Sequence, residues 1–407
     1  MIPLWTIVPF AALLCCIAVL PLAVPHFWER NRNRALIAAA LATPTLVWLL
    51  QHDPLALQHT ALEYFSFICL LGSLYTIAGD ILVTGDLRAT PRVNTAFLAV
   101  GAVLANFIGT TGASMVLIRA FLRTNSERRH VHHLPVFFIF IVSNCGGLLT
   151  PLGDPPLFLG YLRGVPFFWT LQLLPHWLCI VGALLLIFYV WDALAYRRET
   201  SSDLARDVAL VRPLRIQGGI NFLPLAGVVG AVFLPTPWRE LIMLGMALVS
   251  LRLSPQVARR QNVFTWGPIL EVAILFAGIF VTMVPALMLL REHGPSFGVT
   301  TPGQFFWATG LLSGVLDNAP TYLTFLSLGQ GLGLPAEVAG VPTTLLTAIS
   351  TGAVLMGANT YIGNGPNFMV KAIADHAGFR TPSFFGYCLY SLAILFPLYA
   401  LLHVIFF

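Results

Sequence analysis

Long apolar runs dominate the chain, and short polar stretches separate them. Runs close to the length of about 20 residues that crosses a bilayer lie at 5–24, 35–50, 62–83, 167–191, 264–290 and 384–407. The longest polar stretch, 192–217, is too short to form a soluble domain. The pattern therefore predicts an all-α integral membrane protein, and we expect its first apolar run to be retained as a span.

Composition and charge support this class. Of the 407 residues, 57% are hydrophobic and only 10% are charged, against a usual charged share of about 25%. The net charge is +5, but the arginines stand at the ends of apolar runs, which indicates topology signals rather than a nucleic-acid surface. The six cysteines fall inside apolar runs without metal-ligand spacing, so we expect small buried hydrophobes.

The arginines also predict orientation, since positive loops remain in the cytoplasm. Arg30, Arg32 and Arg34 place the first loop inside and the N-terminus outside. The arginine-rich loop 192–217 is then cytoplasmic. We expect the protein in the bacterial inner (cell) membrane, with the lipid bilayer as its partner.

Two apolar stretches do not fit simple spans. The stretch 93–122 carries arginines beyond both ends and is interrupted by Gly109-Thr-Thr-Gly-Ala-Ser114. The stretch 302–330 is interrupted by Asp317-Asn-Ala-Pro320. In each case a re-entrant helical hairpin, which enters and leaves the membrane on the same side, agrees with the charges at both ends of the stretch. The whole chain then has about eleven transmembrane helices.

The two halves share motifs at a nearly constant offset. Thr150-Pro-Leu-Gly-Asp-Pro-Pro156 and Thr360-Tyr-Ile-Gly-Asn-Gly-Pro366 both read T-x-[LI]-G-[DN]-x-P. Glu63 and Glu271 also correspond. Because the topology gives the halves opposite orientations, we predict two inverted repeats, each with a hairpin and a broken helix.

The predicted organisation has five parts. They are two N-terminal helices (1–57), a first repeat (58–191, hairpin 93–122, broken helix 133–163), the cytoplasmic loop 192–217, two short transmembrane helices (218–263) and a second repeat (264–407, hairpin 302–330, broken helix 340–377).

Broken helices expose backbone carbonyls at membrane depth, and polar side chains crowd the same points. The candidate ion- or substrate-binding residues are Thr110, Thr111, Ser114, Ser143, Asn144, Thr150, Asp154, Asp317, Asn318, Thr321, Asn359, Thr360, Asn364 and Asn367. Intramembrane carboxylates are functional candidates by default, so we expect Asp154 and Asp317 to bind transported Na⁺. Either one could instead cap a helix.

If each hairpin tip packs on the break of its own half, each of two related sites receives one carboxylate. The roles of Glu63, Glu271, Arg119 and Lys371 stay open. The other acidic and titratable groups considered, Asp80, Asp86, His130, His132 and His133, are expected to be solvated.

These segments resemble a known family. Ser143-Asn-Cys-Gly-Gly-Leu-Leu-Thr-Pro-Leu-Gly-Asp-Pro-Pro156, Gly109-Thr-Thr-Gly-Ala-Ser-Met115 and Thr360-Tyr-Ile-Gly-Asn-Gly-Pro-Asn-Phe-Met369 are similar to NhaD-type sodium/proton antiporters and citrate transporters (CitMHS-like) of the ion transporter superfamily. The resemblance covers roughly 60–400 and implies an eleven-span, two-hairpin fold, often dimeric, with sodium sites at the hairpin tips.

One departure from the family bears on the cargo. The dicarboxylate transporters of the superfamily carry Ser-Asn-Thr at both hairpins, whereas this chain has Thr-Thr-Gly at 110–112 and Asp-Asn-Ala at 317–319. The difference favours a bare cation over a carboxylate substrate.

The first hypothesis is therefore exchange of Na⁺ or Li⁺ for protons by alternating access, in which a desolvated carboxylate holds either ion. The alternative is Na⁺- or H⁺-coupled uptake of citrate or another organic anion. An intramembrane protease is disfavoured because Pro151 replaces a glycine of its G-x-G-D element, and a passive channel fits inverted repeats less well. We expect no enzymatic activity and no cofactor beyond transported Na⁺ and H⁺, and a homodimer stays open.

Overall fold

The protein is described by a computed structural model covering residues 2–254 and 256–407. Helices account for 77% of it, and the strands among the described residues are two short ones that pair with each other. Seven helical segments are long and apolar enough to cross a membrane. The prediction of an all-α membrane protein is confirmed at this level.

The described residues of the N-terminal half form nine α-helices, one strand and three 3₁₀ turns. The helices are α1 Val8–Ala23, α2 Pro25–Trp28, α3 Asn31–His52, α4 Pro54–Gly79, α5 Pro91–Thr124, α6 His133–Ile141, α7 Pro155–Leu162, α8 Leu174–Tyr196 and α9 Ser201–Leu210; strand β1 is Leu82–Asp86, and the 3₁₀ turns are Leu4–Ile7, Cys145–Leu149 and Phe167–Leu173.

In the C-terminal half, the described residues form one strand, three 3₁₀ turns and the remaining helices. Strand β2 is Arg212–Gln217, and the helices are α10 Phe222–Ala231, α11 Trp238–Leu253, α12 Gln256–Gln261, α13 Gly267–His293, α14 Pro302–Ser313, α15 Asn318–Gly331, α16 Thr343–Met356, α17 Gly365–His376 and α18 Phe384–Phe406; the 3₁₀ turns are Gly219–Asn221, Gly294–Phe297 and Gly357–Asn359.

Helix α5 reverses direction at its centre. Gly109 adopts φ 75° and ψ 156°, which is outside the helical region and favours glycine. Residues at nearly equal distances along the chain on either side of it meet: the rings of Phe97 and Phe121 lie 5.9 Å apart, and Asn94 and Asn125 exchange hydrogen bonds of 2.8 and 2.9 Å. A straight 34-residue helix would hold its ends about 50 Å apart, so α5 is a hairpin.

Helices α14 and α15 form a comparable turn. Phe305 near the start of α14 lies 6.2 Å from Phe325 on α15, ring centre to ring centre. A capping box begins α14, in which Thr301 accepts from the Gln304 N–H. The Asp317 carboxylate accepts from the Ala319 N–H at 3.0 Å and so begins α15. The two helices therefore lie side by side with their turn at 314–317.

The segment 192–217, predicted to be a loop, is structured. It includes the end of α8, then α9, and then β2, which pairs antiparallel with β1. The Asp207 carboxylate on α9 accepts from the Ala89 N–H just before α5, with both oxygens at 3.1 Å. Burial raises the pKa of this carboxyl group, and the Ala89 N–H opposes the shift. These contacts tie the base of the α5 hairpin to the 192–217 segment.

Asp80 was expected to be solvated, and that prediction is wrong. Its side chain is fully buried and accepts two hydrogen bonds from the Arg259 guanidinium, at 2.8 and 2.9 Å. Ser250 also donates to it, at 2.9 Å. A buried carboxylate needs such partners, and the pairing holds the end of α4 against α11 and α12.

Candidate ion-binding site

Two helices of the bundle are interrupted in the same way. Between α6 and α7 the backbone leaves helical geometry, and Asp154 is extended (φ −144°, ψ 143°) just before Pro155 begins α7. Between α16 and α17, Asn364 has nearly the same conformation (φ −152°, ψ 141°) just before Gly365 begins α17. Proline lacks the N–H that a helical ladder needs, and glycine makes a helix less stable, so both residue types favour a break here. The polar groups of both breaks are thus free for other contacts.

Glycines allow the chain to cross itself closely inside each break. A Cβ atom added to Gly153 would lie 2.1 Å from the Gly147 carbonyl oxygen. In the second break, a Cβ added to Gly363 would lie 2.6 Å from the Gly357 oxygen. Backbone atoms cannot move aside as a flexible side chain can. Positions 153 and 363 therefore require glycine if the breaks are to keep their shape.

Asp154 lies where the two breaks and the two hairpin turns meet. Its side chain is 1% exposed. One carboxylate oxygen accepts from the Thr110 hydroxyl at 2.8 Å and from the Asn364 amide at 3.0 Å. The other accepts from the Asn318 amide. The carboxylate makes no capping bond to α7, so the alternative role considered for Asp154 is not observed.

The donors around Asp154 are neutral. Among the described residues, no Lys, Arg or His side chain lies within salt-bridge distance of its carboxylate. A buried carboxylate is ordinarily paired with a cation or a metal ion. This one is compensated only by a hydroxyl, two amides and the nearby N-terminus of α7, which carries a partial positive charge.

Amide side chains extend the network around the carboxylate. Asn144 donates to the Asn367 oxygen at 2.7 Å, and Asn364 donates to both the Asn144 side-chain oxygen and the Ser143 carbonyl at 3.2 Å. Ser143 and Ser114 share a hydroxyl hydrogen bond of 2.8 Å. The structure thus brings eight of the predicted site residues into one connected cluster: Thr110, Ser114, Ser143, Asn144, Asp154, Asn318, Asn364 and Asn367.

Two predicted threonines attach the breaks to the hairpins instead of reaching the carboxylate. The Thr150 hydroxyl donates to the Asn106 carbonyl in α5, and the Thr360 hydroxyl donates to the Gly314 carbonyl at 2.7 Å. Sequence reasoning missed Asn106. It is a buried amide one turn before the Gly109 reversal, it accepts from the Leu149 N–H and it donates to the Gly146 carbonyl.

Asp317 differs from Asp154 in its surroundings. Its carboxylate caps α15 and is half-buried, and the Thr321 hydroxyl donates to its backbone carbonyl at 2.9 Å. The neighbouring Asn318 reaches across to Asp154, as Asn364 does from the other break. Both halves therefore contribute donors to Asp154, and the prediction of two related sites, each with its own carboxylate, stays a prediction.

Some polar oxygens near the cluster have no partner. The side-chain oxygens of Asn318 and Asn359 are buried and accept no hydrogen bond from the described residues. Asn359 lies beside the α14–α15 turn, with its amide nitrogen 3.0 Å from a Cβ placed on Gly314. Oxygen atoms of this kind are the ligands that small hard cations prefer. The Thr111 hydroxyl lies beside Thr110 and is half-buried.

Three of the four residues whose roles stayed open lie in separate ion pairs. Glu63 pairs with Arg163 at 2.7 Å, Glu271 pairs with Arg34 at 3.0 Å, and Lys371 pairs with Asp375 at 2.6 Å. One buried nitrogen of Arg119 has no hydrogen-bond partner among the described residues. None of these charged groups contacts the Asp154 carboxylate in the described part of the chain.

Comparison with known proteins gives one finding at the level of the family. A comparison with curated proteins found no match. A family model described as "Putative citrate transport" matches residues 1–407, the entire chain. The match covers both halves, both breaks and the Asp154 cluster, so the chain belongs to the family described as putative citrate transport.

Proposed function

We propose that the protein is a secondary active transporter in which the Asp154 carboxylate alternately holds a proton and a small cation, Na⁺ or Li⁺. The observation that carries the proposal is a buried carboxylate, 1% exposed, surrounded by neutral donors from both halves of the chain. Family membership supports transport as the broad activity.

Exchange follows from the chemistry of such a site. A carboxylate removed from water is stable only when a proton, a cation or a set of donors compensates its charge. Because Asp154 has no fixed cationic partner in the described residues, a proton and a metal cation compete for the same oxygens. If the loaded site opens to one side of the membrane at a time, that competition couples cation movement in one direction to proton movement in the other.

The surrounding amides suit both states of the carboxylate. An asparagine side chain offers NH₂ donors on one side and an oxygen acceptor on the other. Asn318 and Asn364 donate to Asp154 in this structure. A rotation of either amide would present its oxygen instead, as a cation requires. We propose Asn144, Asn359 and Asn367 as further oxygen sources, and Asp317 as a second carboxylate near the hairpin turn.

The finer architecture belongs to the same proposal. We propose an eleven-span arrangement of two inverted repeats, in which α5 and α14–α15 are the re-entrant hairpins. Three features support this arrangement. They are the reversal at Gly109, the matched breaks at Asp154 and Asn364, and the matching hydrogen bonds by which Thr150 and Thr360 attach each break to its hairpin. The proposed orientation, in a bacterial cell membrane, places the N-terminus outside and 192–217 in the cytoplasm, following the arginines.

The second candidate is Na⁺- or H⁺-coupled transport of citrate or a related organic anion. The family description favours it. Helices α7, α15 and α17 also begin at or next to residues of the Asp154 cluster, and helix N-termini attract anions. The lack of a basic side chain at the carboxylate in the described residues favours the cation exchanger.

Flux measurements in proteoliposomes test the proposal. Vesicles with an acidic interior and a pH-sensitive dye inside would receive Na⁺, Li⁺, K⁺ or citrate outside in turn. We expect alkalinisation on adding Na⁺ or Li⁺, and its loss in Asp154→Asn, which keeps the side-chain shape but cannot hold the charge. Uptake of labelled citrate without any cation-driven alkalinisation would instead establish the second candidate.

Two control variants sharpen the result. Asp375→Asn removes a carboxylate from the exposed pair with Lys371 and should exchange like the original protein. Asp317→Asn keeps a good N-cap residue on α15, so a loss of exchange there would show that the second carboxylate takes part. Normal exchange in a folded Asp154→Asn protein would refute the assignment of Asp154.

A further inference from the structure

A large groove lies on the outside of the bundle, far along the chain from the Asp154 cluster. It encloses about 780 Å³ between α8, α18 and the segment that precedes α6. Its apolar wall includes Leu186, Val190 and Leu194 on α8, which are exposed by 51–65%. We call this feature the α8–α18 groove.

One end of the groove is basic. Arg198, His130 and His132 line it there, and Arg198 is exposed and makes no salt bridge among the described residues. The acidic groups facing this end are already satisfied. Glu199 is buried and accepts from the Arg129 and His130 N–H groups, and Asp192 is buried against Arg128. The His130 ring also faces Glu199, at 3.5 Å, and the His132 ring bonds the Arg380 carbonyl at 3.0 Å. The positive charge left facing the groove among the described residues is therefore that of Arg198.

Two aromatic residues lie part-way along the groove, between Leu186 and the basic end. Trp191 and Tyr390 line the groove, and their ring centres lie 5.8 Å apart. Trp and Tyr are enriched at the level of lipid headgroups in membrane proteins. The position of this pair indicates that the basic end lies at the membrane surface and the apolar wall lies in the hydrocarbon.

The length of the groove fits one leaflet. From Leu186 to Arg198, α8 and its last turn rise roughly 18 Å at 1.5 Å per residue. The hydrocarbon core of a bilayer is about 30 Å thick, so one leaflet is about half of that. A ligand bound along the groove would thus have an anionic head at Arg198 and an apolar chain reaching toward the middle of the membrane.

We propose that the α8–α18 groove is a binding site for one anionic phospholipid, with the phosphate of its headgroup beside Arg198, His130 and His132 and an acyl chain along Leu186, Val190 and Leu194. Basic pockets between transmembrane helices are a recognised way of holding anionic headgroups. The site is independent of the proposed transport chemistry, because it shares no residue with the Asp154 cluster.

Native mass spectrometry of the purified protein tests this site. The full chain in detergent would be titrated with phosphatidylglycerol or with zwitterionic phosphatidylcholine of the same acyl chains. We expect a single retained phosphatidylglycerol and much weaker retention of phosphatidylcholine. Arg198→Gln should weaken the binding of phosphatidylglycerol roughly fivefold, as expected for one basic residue at a lipid headgroup. The double variant Arg198→Gln with His132→Gln should weaken this binding further.

Matched controls distinguish lipid binding in the groove from attraction of lipid to any exposed arginine or to any exposed apolar residue. Arg212→Gln removes an equally exposed arginine on β2, outside the groove, and should leave binding unchanged. Leu194→Trp should fill the apolar wall and reduce retention, whereas Leu178→Trp changes an exposed residue of the same helix and should not. Equal retention of the two lipids, or equal effects of Arg198→Gln and Arg212→Gln, would overturn the proposal.

The same mass spectra test the main alternative, which is that a second copy of the chain occupies the groove. If a second copy of the chain covered the groove, Leu194→Trp would shift the protein from dimer to monomer without changing lipid retention, and that result would also overturn the proposal.

Discussion

At the scale of the residue, Asp154 and Asp317 show how environment separates two similar carboxylates. Asp154 is fully enclosed and receives donors from Thr110, Asn318 and Asn364. Asp317 is half-buried and accepts from one N–H in the first turn of its own helix, that of Ala319. A carboxylate that caps a helix is already compensated, whereas one held by movable neutral groups can accept another ion. Asp154 is therefore the stronger candidate for ion exchange.

Thr110 offers a test at this scale, with a second threonine of α5 as control. Thr110→Val preserves shape but removes the hydroxyl that donates to Asp154 at 2.8 Å. The charged carboxylate loses a stabilising bond, so the proton competes more strongly and more Na⁺ is needed. We expect the half-saturating Na⁺ concentration to rise roughly tenfold, in line with about 1.5 kcal/mol for a hydrogen bond to a charged group.

Thr95→Val on the first arm of α5 is the control for that measurement, which is the Na⁺ dependence of dye-reported exchange. The Thr95 hydroxyl donates to the Pro91 carbonyl at 2.7 Å and belongs to none of the candidate ion-binding positions, so this variant should behave like the original protein. Equal shifts in the two variants would show that the hydroxyl of Thr110 has no special role.

At the scale of the element, the α5 hairpin brings Thr110 to the carboxylate. The reversal at Gly109 places the Thr110 N–H 2.8 Å from the Gly153 carbonyl. The base of the hairpin is held by the exchange of hydrogen bonds between Asn94 and Asn125, and Asn94 also donates to the buried Asp192 at 2.9 Å. Hairpin, broken helix and α8 therefore support one another.

Cross-linking tests the reversal directly. In a protein whose six native cysteines are replaced by alanine, cysteines at Phe97 and Phe121 should form a disulfide on mild oxidation, because these side chains meet across the hairpin. Mass spectrometry of the digested protein would detect the linked peptides. Cysteines at Phe97 and Ile108, which lie about 16 Å apart along one arm, should stay unlinked. Absence of the Phe97–Phe121 link would contradict the hairpin.

At the scale of the whole molecule, arginine-rich segments far apart in the chain assemble at one end of the bundle. Strands β1 and β2 pair there, Arg123 donates to the β1 carbonyls of Val83 and Gly85, and Arg259 joins Asp80. This cluster of positive groups at one end agrees with the positive-inside rule. The proposed orientation is based on it.

Labelling of single cysteines tests that orientation. In the cysteine-free background, Ser202→Cys on α9 and Ser296→Cys after α13 both occupy exposed positions. With a membrane-impermeant maleimide added to intact cells, we expect Ser296→Cys to react and Ser202→Cys to react only after the membrane is opened. The reverse pattern would place the arginine-rich end outside and would contradict the proposed topology.

The sequence by itself determined the class of the protein and the location of its unusual backbone. Long apolar runs require helices in a membrane. The groups of glycine and proline around Gly109, Gly153, Pro155 and Gly363 favour interruptions because these residues make a helix less stable. These are local properties, so a single sequence reveals them. The breaks predicted at 150–156 and 360–366 lie where the structure has extended backbone.

Only the tertiary structure decided which polar groups meet. Residues 154 and 364 are distant in the chain, and their contact at 3.0 Å depends on how the two halves pack. Asn106 carries no sequence signal beyond being an amide in an apolar run. Asp80 was predicted to be solvated because its partner, Arg259, is distant in the chain and meets it only in the folded structure. Apolar surfaces pack without a directional pattern in the sequence, so the partners of each buried polar group become visible only in the folded chain.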